Sequence, residues 1–165
     1  MNALEREEIL TKVRGWLKDA HICMLATKEP DGNLRSRPMA MQDVEFDGDL
    51  WFFTDARGHI ARAVRDHPMV SISVQTDNNS TFIALSGYAR LVKDEVKATE
   101  LWRPSYEVFF PAGLADPDLI LLRVNTETVE YWDSPSGLVS NLLNLVKGLT
   151  SDTPTPVGEN RRITL

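Results

Sequence analysis

The sequence predicts an α+β fold, a barrel of about six mostly antiparallel strands with helices inserted singly. Three observations predict it. Two turn signals, Lys28-Glu29-Pro30-Asp31-Gly32 and Phe46-Asp47-Gly48-Asp49, cut residues 21–54 into three successive strand-like runs. Val70-Ser71-Ile72-Ser73-Val74 alternates with period two. The helical stretches come one at a time after consecutive hairpins, which argues against a doubly wound parallel sheet.

Residues 3–19 read as a helix, with Leu4, Glu8, Ile9, Val13, Trp16 and Leu17 on one stripe. The apolar run 21–27 and the run 33–42 flank the first turn and read as a hairpin. Leu50-Trp51-Phe52-Phe53-Thr54 is dense in aromatics and adds a third strand, its aromatics mostly core. Residues 57–66 read as a helix stopped by His67-Pro68, because proline disfavours the α region for the residue before it. Thr81–Val92 is a long strand in which Gly87 marks a bulge or a close backbone approach. Asp94 is placed to cap a helix running to about Trp102. Residues 103–118 are irregular, and Ile120–Val124 with Thr128–Trp132 form two strands or one bent strand. An amphipathic helix is expected from Ser136 to about Leu149.

The chain has 165 residues, and the expectation is a single domain over 1–150 with a loose, Pro- and Thr-rich tail over 151–165. The net charge of −6 argues against nucleic acid as the main partner, since phosphate backbones need clustered Lys and Arg. A small phosphorylated ligand needs only two or three well-placed cations and stays open. A single cysteine, Cys23, rules out an internal disulfide and reads as a small buried hydrophobe. No run approaches the roughly 18 apolar residues of a membrane span, and the charged N-terminus lacks a signal-peptide core. The expected setting is therefore cytoplasmic, with no membrane partner. His21, His59 and His67 show no metal-ligand spacing, and neither a nucleophile elbow, a P-loop nor a dinucleotide glycine fingerprint is present.

One constellation is unusual. Arg35 and Arg37, two apart on a predicted strand, point the same way. They are either solvated charges or a paired cation site for a phosphate or carboxylate. Pro38 removes a ladder donor, which places this strand at an edge or beside a ligand. Thr54 ends the aromatic strand, and Gly58 begins the next helix, whose free N–H groups attract anions.

The runs Gly32-x-x-Arg35-Ser36-Arg37-Pro38-Met39, Leu50–Asp55, His67-Pro68-x-Val70 and Leu85-Ser86-Gly87-Tyr88-Ala89 resemble the flavin-binding split β-barrel proteins related to pyridoxamine 5′-phosphate oxidase. Leu101-Trp102-Arg103-Pro104, Phe109-Phe110-Pro111-x-Gly113, Asp116-Pro117-x-Leu119 and Glu130-Tyr131-Trp132-Asp133 look like the general-stress-protein branch. The resemblance covers about residues 5 to 150 and implies a Greek-key-type split barrel, a homodimer, and FMN at the dimer interface, with FAD or a deazaflavin as alternatives. It implies Arg37 near the flavin phosphate, Pro38 and Met39 beneath the ring system, Gln42 near a flavin-contacting position, and Phe53 and Thr54 along the flavin. Gly58 and His59 join this set as the start of the phosphate-side helix.

The family pattern has a serine and, two residues later, a lysine on the phosphate; this sequence has Gly58 and Ile60. A charge-assisted hydrogen bond is worth roughly 1.5–3 kcal/mol, so the departure weakens phosphate binding. The expected function is flavin binding with a redox role and no catalytic residue identified. The alternative is a non-enzymatic flavin binder or a cofactor-less stress-associated dimer.

Overall fold

The computed structural model describes residues 3–18, 20–43, 45–76, 81–133 and 159–165. The helix expected over 136–149 lies outside the described residues. The elements are α1 (Ala3–Leu17), β1 (Ile22–Lys28), β2 (Leu34–Ala40), β3 (Asp49–Asp55), α2 (His59–Asp66), β4 (Met69–Gln75), β5 (Thr81–Val92), α3 (Glu95–Leu101), β6 (Leu119–Asp133) and β7 (Glu159–Thr164). Short 3-10 turns at Pro104–Val108 and Gly113–Ala115 fill the irregular stretch between α3 and β6.

The strands form one antiparallel sheet in the order β2-β1-β4-β5-β6-β3, with β7 joined to β6. This is the α+β split-barrel arrangement expected, with seven strands where about six were read. β2 lies at the end of that order, which explains how Pro38 is accommodated. The β1–β2 turn closes as its residues dictate. Gly32 takes φ 89°, its N–H bonds the Glu29 carbonyl at 2.8 Å, and Asp31 accepts from the Asn33 N–H at 2.9 Å.

β6 is one strand, not two. It pairs with β5 along its length, with β3 through its first half and with β7 through its second. The bend sits where Ser86 faces Thr128 and Gly87 faces Thr126, leaving Glu127 as the extra residue. A Cβ on Gly87 would lie 2.0 Å from the Asn125 carbonyl oxygen, so the bulge and the close approach are one feature. The expected loose tail needs correction at its end. Residues 159–164 form β7, which covers the stretch of β6 edge beyond the reach of β3.

The main core lies between the sheet and the helices. It is built on Leu25, Phe52, Ile72, Leu85, Leu122 and Tyr131, with Leu10, Val13 and Leu17 from α1 and Ile60 and Val64 from α2. Leu4, expected on the buried stripe of α1, is 79% exposed, and Leu10 takes that part. A second core of Phe53, Leu101, Leu119 and Leu121 sits under α3 and the 3-10 turns. The opposite face of the sheet carries Ile22, Met24, Met69, Tyr88 and Trp132, all exposed. Among the described residues no helix is long and apolar enough to cross a membrane.

Candidate functional site

The antiparallel register opposes Leu25 to Arg37 and Thr27 to Arg35, so both arginines share the face of buried Leu25 and Thr27. Arg35 is exposed. Arg37 reaches diagonally to the end of β1, where its Nη1 donates to Thr27 Oγ1 at 3.0 Å and its Nη2 to Glu29 Oε1 at 2.8 Å. The Thr27 hydroxyl donates to the same Glu29 oxygen at 2.9 Å, closing a triangle. Only 16% of the Arg37 side chain and 13% of the Glu29 side chain are exposed. The Arg37 hydrogen bond, opposed by desolvation and aided by Thr27 and Arg35, holds the Glu29 carboxyl below the ordinary glutamate range. A guanidinium carries five N–H groups, and two are engaged among the described residues.

Met39, next on this face, packs against the main core, while Pro38 lies on the opposite, exposed face across from Met24. Past the end of β2, Gln42 Oε1 accepts a 3.1 Å hydrogen bond from the Tyr106 hydroxyl. Burial raises the Tyr106 pKa, with Arg103 and Gln42 acting the other way. Gln42, Met41, His21, Lys18, Arg14 and Tyr106 line a cleft of about 780 Å³.

Phe53 is 7% exposed and enclosed by aromatic rings. Its centroid is 5.3 Å from Trp102 in edge geometry, 5.6 Å from Tyr106 and 6.5 Å from Phe110. Thr54 beside it is 6% exposed, opposite Ile120. Tyr106 therefore joins Gln42 to Phe53.

Gly58 is the N-cap of α2, in extended backbone with no side-chain cap, and donates its N–H to the Asp55 carbonyl at 2.9 Å. A Cβ there would meet that carbonyl oxygen at 3.1 Å, a tight contact that a shift of a few tenths of an ångström would have to relieve. His59 is exposed, its Nδ1 3.2 Å from Arg62 Nη2. Arg57 is paired with Asp118, and Arg65 donates to the Ala56 carbonyl at 2.9 Å. Ile60 points into the main core at 9% exposed, so the departure from the lysine pattern is built into the packing of α2.

The expected residues thus fall into separate groups: Arg37 reaching to the β1–β2 turn, Met39 at the other end of β2 on the main core, Gln42 with Phe53 through Tyr106, and Gly58 with His59 at the start of α2. No hydrogen bond or ion pair joins these groups among the described residues. Thr27, Glu29 and Tyr106 are additions that the sequence reading missed. Thr27 was available from hairpin register, which makes it the diagonal neighbour of Arg37. Tyr106 lies in an irregular segment with no period to place it.

Cys23 is buried in the core, and desolvation pushes its thiol up to about 12, which removes it as a nucleophile. No group of three or more His, Cys, Asp or Glu able to hold a metal occurs among the described residues.

Comparison with known proteins gives this geometry its setting. No curated protein matches the sequence. A general stress protein 26 of Jannaschia sp. CCS1 superimposes with a TM-score of 0.72 at 24% identity, covering 96% of this chain and 99% of that one. A general stress FMN/FAD binding protein of Xanthomonas citri gives 0.68 at 26% identity, covering 80% and 93%. A general stress family protein of Xanthomonas campestris pv. campestris gives 0.67 at 27% identity, covering 80% and 91%. The family model for pyridoxamine 5′-phosphate oxidase-like proteins matches residues 8–155. This chain belongs to the pyridoxamine 5′-phosphate oxidase-like family, among relatives that include general stress proteins.

Proposed function

We propose that this protein is a flavin-binding homodimer that takes FMN with its phosphate at Arg37. The observation that carries the reading is a largely buried guanidinium with three N–H groups unengaged among the described residues. Such a cation, held at a sheet edge, fits a phosphate oxygen cluster better than it fits solvent. Arg35 on the same face adds a second positive charge. In this reading Pro38 and Met39 continue beneath the ring system. Gln42, braced by Tyr106, is the polar group offered to the ring, and Thr54 stands next to last in β3, the strand that shapes the site. Phe53 acts from behind, as the centre of the aromatic cluster that fixes this strand end. Gly58 and His59 contribute the start of α2, without the lysine of the family pattern.

The dimer is supported by the outer face of the sheet. Ile22, Met24, Met69, Tyr88 and Trp132 are exposed there, and Ile22, Met24, Ser73, Phe82, Ala84 and Trp132 line a groove of about 590 Å³. An apolar strand face of this kind marks an interaction surface. When bound, the isoalloxazine supplies hydride or electron chemistry. The chain's residues bind and orient it, and none is proposed as catalytic.

A second reading is a dimer that does not retain flavin. The position of Ile60 in the core favours it, because the first turn of α2 then offers no lysine to a phosphate. A visible absorption spectrum after incubation with FMN and gel filtration separates the two. Retained flavin bands are the expected result; a colourless protein would establish the second reading.

A further inference from the structure

The cation at Arg37 is held from two sides before any ligand arrives. Thr27, which is 0% exposed, accepts from Nη1, and Glu29 accepts from Nη2. The two acceptors are bonded to each other, so neither can rotate without breaking the triangle. Glu29 is itself fixed by its backbone: its N–H donates to the Asn33 carbonyl at 2.8 Å, and its carbonyl accepts from Gly32 at 2.8 Å. The support therefore runs from a turn that needs Gly32 at positive φ, through Glu29, to the guanidinium.

We infer that Glu29 is a positioning residue for phosphate recognition: with Thr27 it clamps two N–H groups of Arg37 and leaves the other three for the ligand. The inference rests on the flavin reading of Arg37 given above. A free arginine must lose its rotamer freedom on binding, whereas a clamped one has already lost it, and the ligand keeps that part of the affinity. Glu29 cancels one positive charge, but Arg35 stands close enough to act on Glu29, so the cluster keeps a net charge of about +1 at neutral pH. With Ile60 in the core, phosphate recognition falls mainly on this cluster. The preference for FMN over riboflavin, which has the same ring and no phosphate, then measures the cluster directly.

The test is fluorescence titration of the full chain with FMN and with riboflavin, for the wild type, Glu29→Ala and Glu29→Gln, with a thermal melt of each. The wild type should prefer FMN by about tenfold or more, the scale of one charge-assisted contact. Glu29→Ala should bring that preference close to unity through weaker FMN binding, with riboflavin affinity unchanged. Glu29→Gln keeps an acceptor for Nη2 and should restore the preference at least to the wild-type value. If Glu29→Ala does not fold, Thr27→Val removes the other acceptor at nearly constant volume and should reduce the preference in the same way. An FMN preference retained or raised in Glu29→Ala or in Thr27→Val overturns the inference, since Glu29 would then only oppose the phosphate. Equal loss of both flavins also overturns it and assigns Glu29 a purely structural role. A wild type that binds neither flavin overturns the flavin reading, and the inference with it; that result is visible without any variant.

Discussion

Replacing Gly87 with alanine is expected to destabilise the protein strongly. The new Cβ would sit 2.0 Å from the Asn125 carbonyl oxygen, 2.8 Å from its carbon and 2.9 Å from the Thr126 Cα. Carbon–oxygen contacts settle at about 3.3 Å or more, so the strands must part locally by more than about 1 Å. Every obstructing atom is backbone, so no side chain can turn aside. On its other flank β6 is tied to the β2–β3 connection, where the Thr126 N–H donates to the Gly48 carbonyl at 2.8 Å. Overpacking a fitted site costs about 1–3 kcal/mol and occasionally more, and an immovable obstacle places this case at about 3 kcal/mol. For a domain of this size each kcal/mol moves the melting temperature by about 2–4 °C, which gives a fall of about 6–12 °C. Gly15→Ala is the matched control. It lies inside α1 with nothing within 4 Å of its Cβ position, so the same added methyl should stabilise by about 0.5–1 kcal/mol. Paired thermal melts decide the matter. A Gly87→Ala protein melting within about 2 °C of the wild type would refute the close approach and the bulge geometry behind it.

Other consequences can be measured in the same way. Ile60→Lys loses a buried aliphatic side chain from the main core and should lower unfolding free energy by about 2 kcal/mol or more in urea titration; an unchanged midpoint would mean that α2 can present this position to solvent. Cys23 should resist a thiol reagent at pH 8 in the folded protein and react promptly in denaturant, because burial holds its thiol at about 12; stoichiometric labelling of the native protein would contradict that burial. The Asp94 carboxylate accepts from the Lys97 N–H at 2.9 Å, so Asp94→Ala should cost about 1 kcal/mol by loss of the α3 cap, with Asp94→Asn largely restoring it in the same melts. Glu29 has its folded-state pKa lowered, so its contribution to stability is present above the ordinary glutamate value and is lost as pH falls through the folded value; the difference in melting temperature between the wild type and Glu29→Gln should therefore shrink steadily below the ordinary value, and a difference constant across that range would refute the ion pair.

What the sequence makes legible here is whatever neighbouring residues decide. The Pro30–Gly32 turn, the stop at His67-Pro68 and the Asp94 cap are local hydrogen-bond problems with local solutions, and each stands where the residues put it. Pro38 marks an edge strand because a missing donor is intolerable elsewhere, and Gly87 marks a close approach because only glycine admits one. Side-chain destinations that depend on distant segments are illegible for the same reason. Phe53 is enclosed by Trp102, Tyr106 and Phe110, which arrive from 3-10 turns and loop without periodicity. β7 has the composition of a tail and becomes a strand only because β6 offers it an unpaired edge.

The site shows both kinds of residue in one place. That Arg35 and Arg37 point the same way follows from strand geometry alone, yet this left open whether they face solvent or a ligand. The register decides how they differ: Arg37 lies diagonally across from Thr27 and within reach of Glu29, while Arg35, two pairs nearer the turn, is exposed. At α2 the same logic runs in the opposite direction. His59 and Arg62 stay on the exposed side, whereas Ile60, one residue along, is turned by the helix into the core. A lysine at that position would have to snorkel out of a packed apolar face. The chain therefore concentrates its recognition of an anion on the hairpin and gives the first turn of α2 to packing. A gain of phosphate affinity is consequently expected from changes around Glu29 and Arg37 and not from restoring a lysine at residue 60. If Ile60→Lys tightened FMN binding without loss of stability, that division of labour between hairpin and helix would be wrong.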